Sequence, residues 1–268
     1  MSQAAAHVEP ARALPPGDAP GAAMAPPQHP HLPALLSEAA ARFASQIAFT
    51  TCMPNGMHGS LTFAQVDALA SDFAVYLRNV LGLAPGARVA LQTPNCLAYP
   101  VCAFGILKAG CVLVNTNPLY TASEMEHQFV DSGAEALVIV DMFADRLEGL
   151  LPRTSIRRVV VCEVSQFFPA VPRAVIRGVM RWWNRALPPV AVEHVRLRQA
   201  LAEGRQARER QGVDVNAFTA DTTWQTLAAL QYTGGTTGRS KGAMLTHGNF
   251  LHNVAQSFSM GRSHIQEG

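Results

Sequence analysis

The sequence predicts an α/β chain with a parallel-rich sheet covered by helices on both faces. Two observations predict it. Between Arg88 and Val161, short apolar runs of strand length alternate with longer segments of helical spacing. That βαβ order favours parallel strands, because each crossover lays a helix back across a face of the sheet. The composition agrees: 268 residues at 49% hydrophobic content can bury one large core or two small ones, and 15% charged residues argue against a disordered whole.

Met1 to His31 is Ala/Pro-rich, with too few large apolar side chains to repay ordering, and is expected to be a disordered extension. It lacks the basic start and unbroken apolar stretch of a signal peptide. From residue 32 onward a single folded unit is expected. Leu35, Leu36, Ala39 and Phe43 follow helical spacing from Leu32. Gln46 to Cys52 then reads as a strand, Pro54-Asn55-Gly56 as a turn, and Ser60 to Phe63 as the return strand of a hairpin. Thr62 and Gln65 form a capping box for a helix carrying Val66, Leu69, Phe73, Tyr76 and Leu77, which Gly82 ends.

Strands are predicted at Val89–Gln92, Val112–Asn115, Ala136–Val140 and Arg158–Val161. Asn95 is expected to cap a helix through Ala109. Thr121 and Glu124 box the start of the next, and a further helix is placed around Met142 to Leu151. Beyond the sheet core, a helix is expected from Arg196 to Glu203, a polar linker from Gly204 to Ala220, and a strand from Leu227 to Tyr232. A last helix begins at Thr246 or Asn249, its positive end near the preceding loop.

Charge and cysteine usage narrow the function classes. A net charge of +2 gives no general reason to expect nucleic acid. The five cysteines form no Cys-x-x-Cys pair and mostly sit in apolar runs, as reduced core thiols of a cytosolic protein would. The sequence shows no metal-ligand cluster, and its longest apolar run, Cys96 to Leu107, is too short to span a bilayer. The insertion from about 165 to 192 has no acidic residue, and Arg173, Arg177, Arg181 and Arg185 recur every fourth position beside Trp182 and Trp183. Arginines facing phosphates with tryptophans at headgroup depth would suit an in-plane membrane helix. The other reading is an amphipathic helix packed on the protein with its arginines in water.

The richest stretch runs from Leu230 to Gly242. It offers hydroxyls at Tyr232, Thr233, Thr236 and Thr237, glycines at Gly234, Gly235, Gly238 and Gly242, and an ammonium at Lys241. Glycines let successive N–H groups converge, and the hydroxyls and the lysine add donors and charge, which together describe an oligophosphate cradle. Of the 21 basic residues only Lys108 and Lys241 are lysines, so Lys241 is not routine surface charge. A Walker A loop is excluded because Gly242, not a hydroxyl residue, follows Lys241, and the dinucleotide spacing Gly-x-Gly-x-x-Gly is absent.

The run Tyr232-Thr233-Gly234-Gly235-Thr236-Thr237-Gly238-Arg239-Ser240-Lys241-Gly242 resembles the phosphate-binding signature of the adenylate-forming (AMP-binding) ligase superfamily. Its continuation Ala243 to Asn249 is similar to the acyl-CoA synthetase branch, and the Gly-Gly form to bacterial long-chain fatty acid–CoA ligases. Leu107 to Gly110, with Asn115 to Pro118, is similar to a second motif of the family and carries scaffold roles only. The resemblance implies the N-terminal portion of the family's large domain, incomplete at its C-terminal end, from about residue 32 to 268. The family's adenine pocket, later glutamate, hinge and adenylation lysine are not found in the sequence, so no catalytic residue is assigned and this polypeptide is expected to be inactive alone.

The activity implied is ATP-dependent conversion of a long-chain fatty acid to acyl-adenylate and then acyl-CoA, with ATP, Mg2+ and CoA as co-substrates and cofactor. Thr233, Gly234, Gly235, Thr236, Thr237, Gly238 and Lys241 would bind the phosphates, and Thr233 would share the magnesium. With the reduced thiols pointing to the cytoplasm, a similar basic, aromatic insertion in the long-chain ligases of the resemblance favours a peripheral contact on the inner face of the membrane. Alternatives are a medium-chain or aryl acid as substrate, or a non-catalytic membrane- or partner-binding role.

Overall fold

A computed structural model describes residues 28–183, 186–233 and 240–261. The predicted tail lies outside them except for its last four residues, where His31 is the N-cap of helix α1 (Leu32–Arg42) and its ring accepts the Ala34 N–H. Strands β1 (Ile47–Cys52) and β2 (His58–Thr62) form the expected antiparallel hairpin. The Thr62–Gln65 capping box opens helix α2 (Phe63–Val75), which continues into a π-helical turn, Tyr76–Val80.

A seven-stranded sheet follows. Its strands are β3 (Arg88–Gln92), β4 (Val112–Asn115), β5 (Ala136–Val140), β6 (Arg158–Cys162), β7 (Val195–Arg196), β8 (Leu227–Thr233) and β9 (Lys241–Thr246). Their order across the sheet is β7-β6-β5-β3-β4-β8-β9, all parallel except β9, which runs antiparallel to β8. The remaining α-helices are α3 (Ala98–Lys108), α4 (Ala122–Ser132), α5 (Ala170–Gly178), α6 (Leu197–Gln211) and α7 (His247–Gly261).

Period-two alternation sends successive strand residues to opposite faces. On one face Val89, Leu91, Val138, Val140 and Val160 pack with Phe73 of α2, Leu77 of the π-helical turn, Val101 and Ile106 of α3 and Leu201 of α6. On the other, Ala90, Val114, Leu137, Ile139 and Val161 pack with Met125 and Phe129 of α4 and with Leu147 and Leu150. The central strands β3, β4, β5 and β6 are apolar between their ends because both faces are covered there, as parallel sheets require.

Ion pairs stitch the first helical layer. Lys108, nearly fully buried at the end of α3, reaches Asp67 at 2.6 Å and the Ser71 hydroxyl at 3.1 Å. Asp72 of α2, with no exposed surface, receives Arg205 and Arg208 of α6, each at 3.0 Å. Burial is the largest influence on that carboxyl and raises its pKa against the opposing pull of the arginines.

The observed elements correct the predicted ones at several places. Helix α3 begins without a side-chain cap from Asn95: its N-cap is Leu97, and its first turn is closed by the Tyr99 N–H to Cys96 carbonyl bond. Residues 141–153 form 3-10 turns in place of an α-helix, consistent with Gly149 and Pro152 interrupting the run. Half of the expected polar linker is the continuation of α6 to Gln211. Strands β7 and β9 were not expected.

Gly204 explains the longer α6. A methyl group there would stand 1.9 Å from the Asp72 carbonyl oxygen, so the glycine marks closest approach of two helices and does not break one. Gly204→Ala is expected to cost about 3 kcal/mol, since a methyl group that close to backbone forces one of the two helices to shift. Thermal or urea denaturation of the purified variant measures it.

Candidate functional site

Parallel strands all end on one edge, and ligands of such sheets bind beyond those carboxyl ends. There β8 turns into β9. The register pairs Thr233 with Lys241, so the last residue of one strand faces the first residue of the other across the mouth of the glycine-rich loop. Both residues are exposed, and among the described residues neither side chain has a hydrogen-bond or ion partner. Gly234, Gly235, Thr236, Thr237 and Gly238 lie outside the described residues.

Helix α4 holds both stems of this loop. The Tyr232 hydroxyl, one residue before Thr233, donates to Asp131 Oδ2 at 2.5 Å. One residue before Lys241, the Ser240 carbonyl lies 3.0 Å from His127 Nε2. His127 and Asp131 are four apart, hence on one face of the helix. Burial, and then the bond to Asp131, pushes the Tyr232 phenol well above its ordinary pKa, so it stays a donor. Opposite the tyrosine stands Gly242, where a methyl group would come within 3.0 Å of the ring. The sequence reading missed both α4 residues. Their spacing was visible, but nothing local connects α4 with a strand more than a hundred positions later.

The adjoining strand is fixed by side-chain amides. Asn115 Nδ2 donates to Gln231 Oε1 at 3.0 Å, Gln128 Nε2 to the Asn115 carbonyl at 2.9 Å, and Gln92 Nε2 to the Asn117 carbonyl at 3.2 Å. These bonds tie the carboxyl ends of β3, β4 and β8 into one polar rim.

Helix α7 does not aim its positive end at the loop. Because β9 runs back along β8, Thr246 pairs with Leu227, at the opposite edge of the sheet and about 20 Å from the loop at roughly 3.3 Å per residue. Thr246 caps α7 reciprocally with Asn249, as one of the two expected starts. The Nδ1 of the next residue, the buried His247, accepts the Leu32 N–H at 3.3 Å and so ties α7 to α1.

A second charged cluster lies past β5 and β6. Glu163 takes two hydrogen bonds from Arg173, at 3.0 and 2.8 Å, and pairs with Arg177. Burial raises the Glu163 carboxyl, but the two guanidiniums outweigh it and its pKa is lowered. Asp141 beside it is pushed up to about 6 by burial and by the Glu163 charge. The expected solvent-facing arginine stripe is therefore corrected: Arg173 and Arg177 turn inward to Glu163, and Arg185 lies outside the described residues.

The residues at the loop mouth suit a polyphosphate: a hydroxyl and an ammonium, neither engaged by another of the described residues, flank the glycine-rich segment. They suit Mg2+ only as company for the phosphates, because Thr233 offers a single neutral oxygen and magnesium prefers carboxylate and phosphate oxygens.

A sequence profile described as AMP-binding enzyme matches residues 36–267. The chain belongs to the AMP-binding enzyme family. Within it, the chain is 41% identical over 242 residues to a long-chain-fatty-acid–CoA ligase of Salmonella typhimurium, covering 90% of this chain and 41% of that protein. It is 40% identical over 232 residues to the ligase of the same name from Escherichia coli O6:H1, covering 86% and 39%. This AMP-binding chain thus spans about two fifths of the length of these relatives. Among solved structures, its fold is similar to a long-chain-fatty-acid–CoA ligase from Archaeoglobus fulgidus, with a TM-score of 0.61 at 23% identity, covering 88% of this chain and 40% of that one. It is also similar to the didomain of a carboxylic acid reductase from Segniliparus rugosus in complex with AMP, with a TM-score of 0.64 at 19% identity, covering 87% and 33%.

Two outcomes follow from this geometry. Tyr232→Phe removes a bond to a carboxylate and is expected to lower stability by about 1.5–3 kcal/mol in urea denaturation. Burial, with His31 nearby, pushes His247 down to about 4, so between there and its unfolded value of about 6.5 the unfolded chain binds the extra proton. Stability should fall as pH drops through that window. His247→Gln should flatten this limb relative to wild type, the comparison cancelling the opposite slope from Asp141.

Proposed function

We propose that this chain carries the ATP-phosphate-binding portion of an AMP-forming ligase that activates a long-chain fatty acid. The observation that carries the reading is the Thr233–Lys241 pair, face to face where the glycine-rich segment meets the carboxyl edge of the sheet and engaged by no other described residue. The long-chain-fatty-acid–CoA ligases at about 40% identity support the substrate class.

In this reaction a fatty acid carboxylate oxygen attacks the α-phosphorus of ATP, the bond to the bridging oxygen breaks, and pyrophosphate leaves. The thiol of CoA then attacks the acyl carbonyl and AMP departs. The role of this chain's residues is positional and electrostatic, which is most of what a protein supplies to phosphoryl chemistry. Lys241 would neutralise charge on the departing pyrophosphate, and the amides and hydroxyls of Gly234, Gly235, Thr236, Thr237 and Gly238 would hold it in line. Thr233 would offer its hydroxyl to a Mg2+ bound with the nucleotide, and that ion would supply neutralisation of phosphate charge.

Residues 32–268 would form the N-terminal part of the adenylation domain. We also read the basic, aromatic segment around residues 165–192 as a peripheral membrane contact, which would bring the site to where a long acyl chain is concentrated. No helix among the described residues is long and apolar enough to cross a membrane.

Lys241→Ala removes a charge-assisted contact worth about 1.5–3 kcal/mol, so MgATP or pyrophosphate should bind about ten- to a hundred-fold more weakly. Isothermal titration of wild type and variant tests this, and equal affinities would sink the assignment.

A further inference from the structure

The arginine-rich segment turns Arg173 and Arg177 inward and its apolar side outward. Helix α5 runs on into a π-helical turn, Val179–Trp183. Its inner side buries Ile176 and sends Arg173 and Arg177 to Glu163. Its outer side shows Val171, Val175 and Val179, spaced four apart, then Trp182 and Trp183. The exposures of Val171, Trp182 and Trp183 are 74%, 77% and 86%. Residues spaced by four line one side of a helix, so these form a continuous apolar ridge. Gly178 lets the Trp182 ring lie against the helix: a methyl group there would stand 3.3 Å from the indole.

Two further arginines border this ridge. Arg181 from the π-helical turn and Arg198 from α6 have no ion partner among the described residues, and both line a hollow of about 490 Å3 with Phe168 and Trp182.

We propose that this ridge inserts into a lipid surface bearing anionic head groups, with Val171, Val175, Val179, Trp182 and Trp183 entering the apolar layer while Arg181 and Arg198 hold phosphates at its rim. The proposal rests on the membrane reading above and changes its mode: the arginines recruited by Glu163 serve the fold, and the apolar side makes the contact. Charge complementarity selects this occupant. The segment from 165 to 192 has no acidic residue, so a second copy docked ridge to ridge would set arginine against arginine, whereas a phosphate-bearing surface answers both unpaired cations. Paired tryptophans at the end of an amphipathic helix also match the polarity of the interfacial layer.

Flotation of the 268-residue chain with mixed phosphatidylcholine–phosphatidylglycerol vesicles and with pure phosphatidylcholine vesicles tests the proposal. Wild type should float with the mixed vesicles, and brominated acyl chains should quench its tryptophan emission. Val175→Asp combined with Val179→Asp, and separately Trp182→Ala with Trp183→Ala, should each lower partitioning at least about ten-fold. All four positions are solvent-facing, so circular dichroism should match wild type. Arg181→Glu with Arg198→Glu should weaken binding to the mixed vesicles much more than to the neutral ones. Flotation of both apolar variants at wild-type levels would overturn the ridge and leave a membrane contact elsewhere. Failure of wild type itself to float would overturn the membrane reading together with the ridge. A dimer that becomes a monomer in the valine variant, without flotation, would assign the ridge to contacts between copies and overturn the lipid assignment.

Discussion

A glycine-rich turn can present converging donors only if both of its stems are held, because glycine supplies freedom and no rigidity. Here one helix holds both. The Tyr232 hydroxyl is anchored on Asp131 and the Ser240 carbonyl is met by His127, so the strand entering the turn and the strand leaving it share a single support. That support depends in turn on Met125 and Phe129, which press α4 onto the sheet. Burial of two apolar side chains therefore sets the position of a polar site several residues away.

Topology then decides what the site can recruit. Strand β8 reaches its place beside β4 only after the chain has laid down β5, β6 and β7 on the far side of β3. This return brings the Asn115 and Gln231 amides together on the rim. The antiparallel return of β9 carries the start of α7 to the other edge, away from Lys241. The Asp141 and Glu163 carboxylates sit past β5 and β6, where their charge is met by arginines of the inserted segment.

Much of this was legible in the residues. The capping boxes at Thr62–Gln65 and Thr121–Glu124 are local bonds between near neighbours, and both formed as read. The buried strands were legible because two covered faces demand unbroken apolar runs. What escaped was set by distant partners. Gly204 reads as a breaker until the Asp72 backbone is beside it, and Arg173 and Arg177 read as a solvent-facing stripe until β6 delivers Glu163. Lys241 to Thr246 is a strand only because β8 lies alongside. Of the site, the chemistry of Thr233 and Lys241 was visible and the α4 scaffold was not.

Strand β9 closes the described sheet and has only one neighbour, β8. Its outer side offers a row of amide and carbonyl groups, and Met244 in its middle is 70% exposed. Such a border is a template for any extended segment that meets it, and proteins usually blunt it with charge, proline or a covering element. An uncovered border of this kind pairs most readily with a second extended strand, so β9 is the side of the described sheet most open to strand addition.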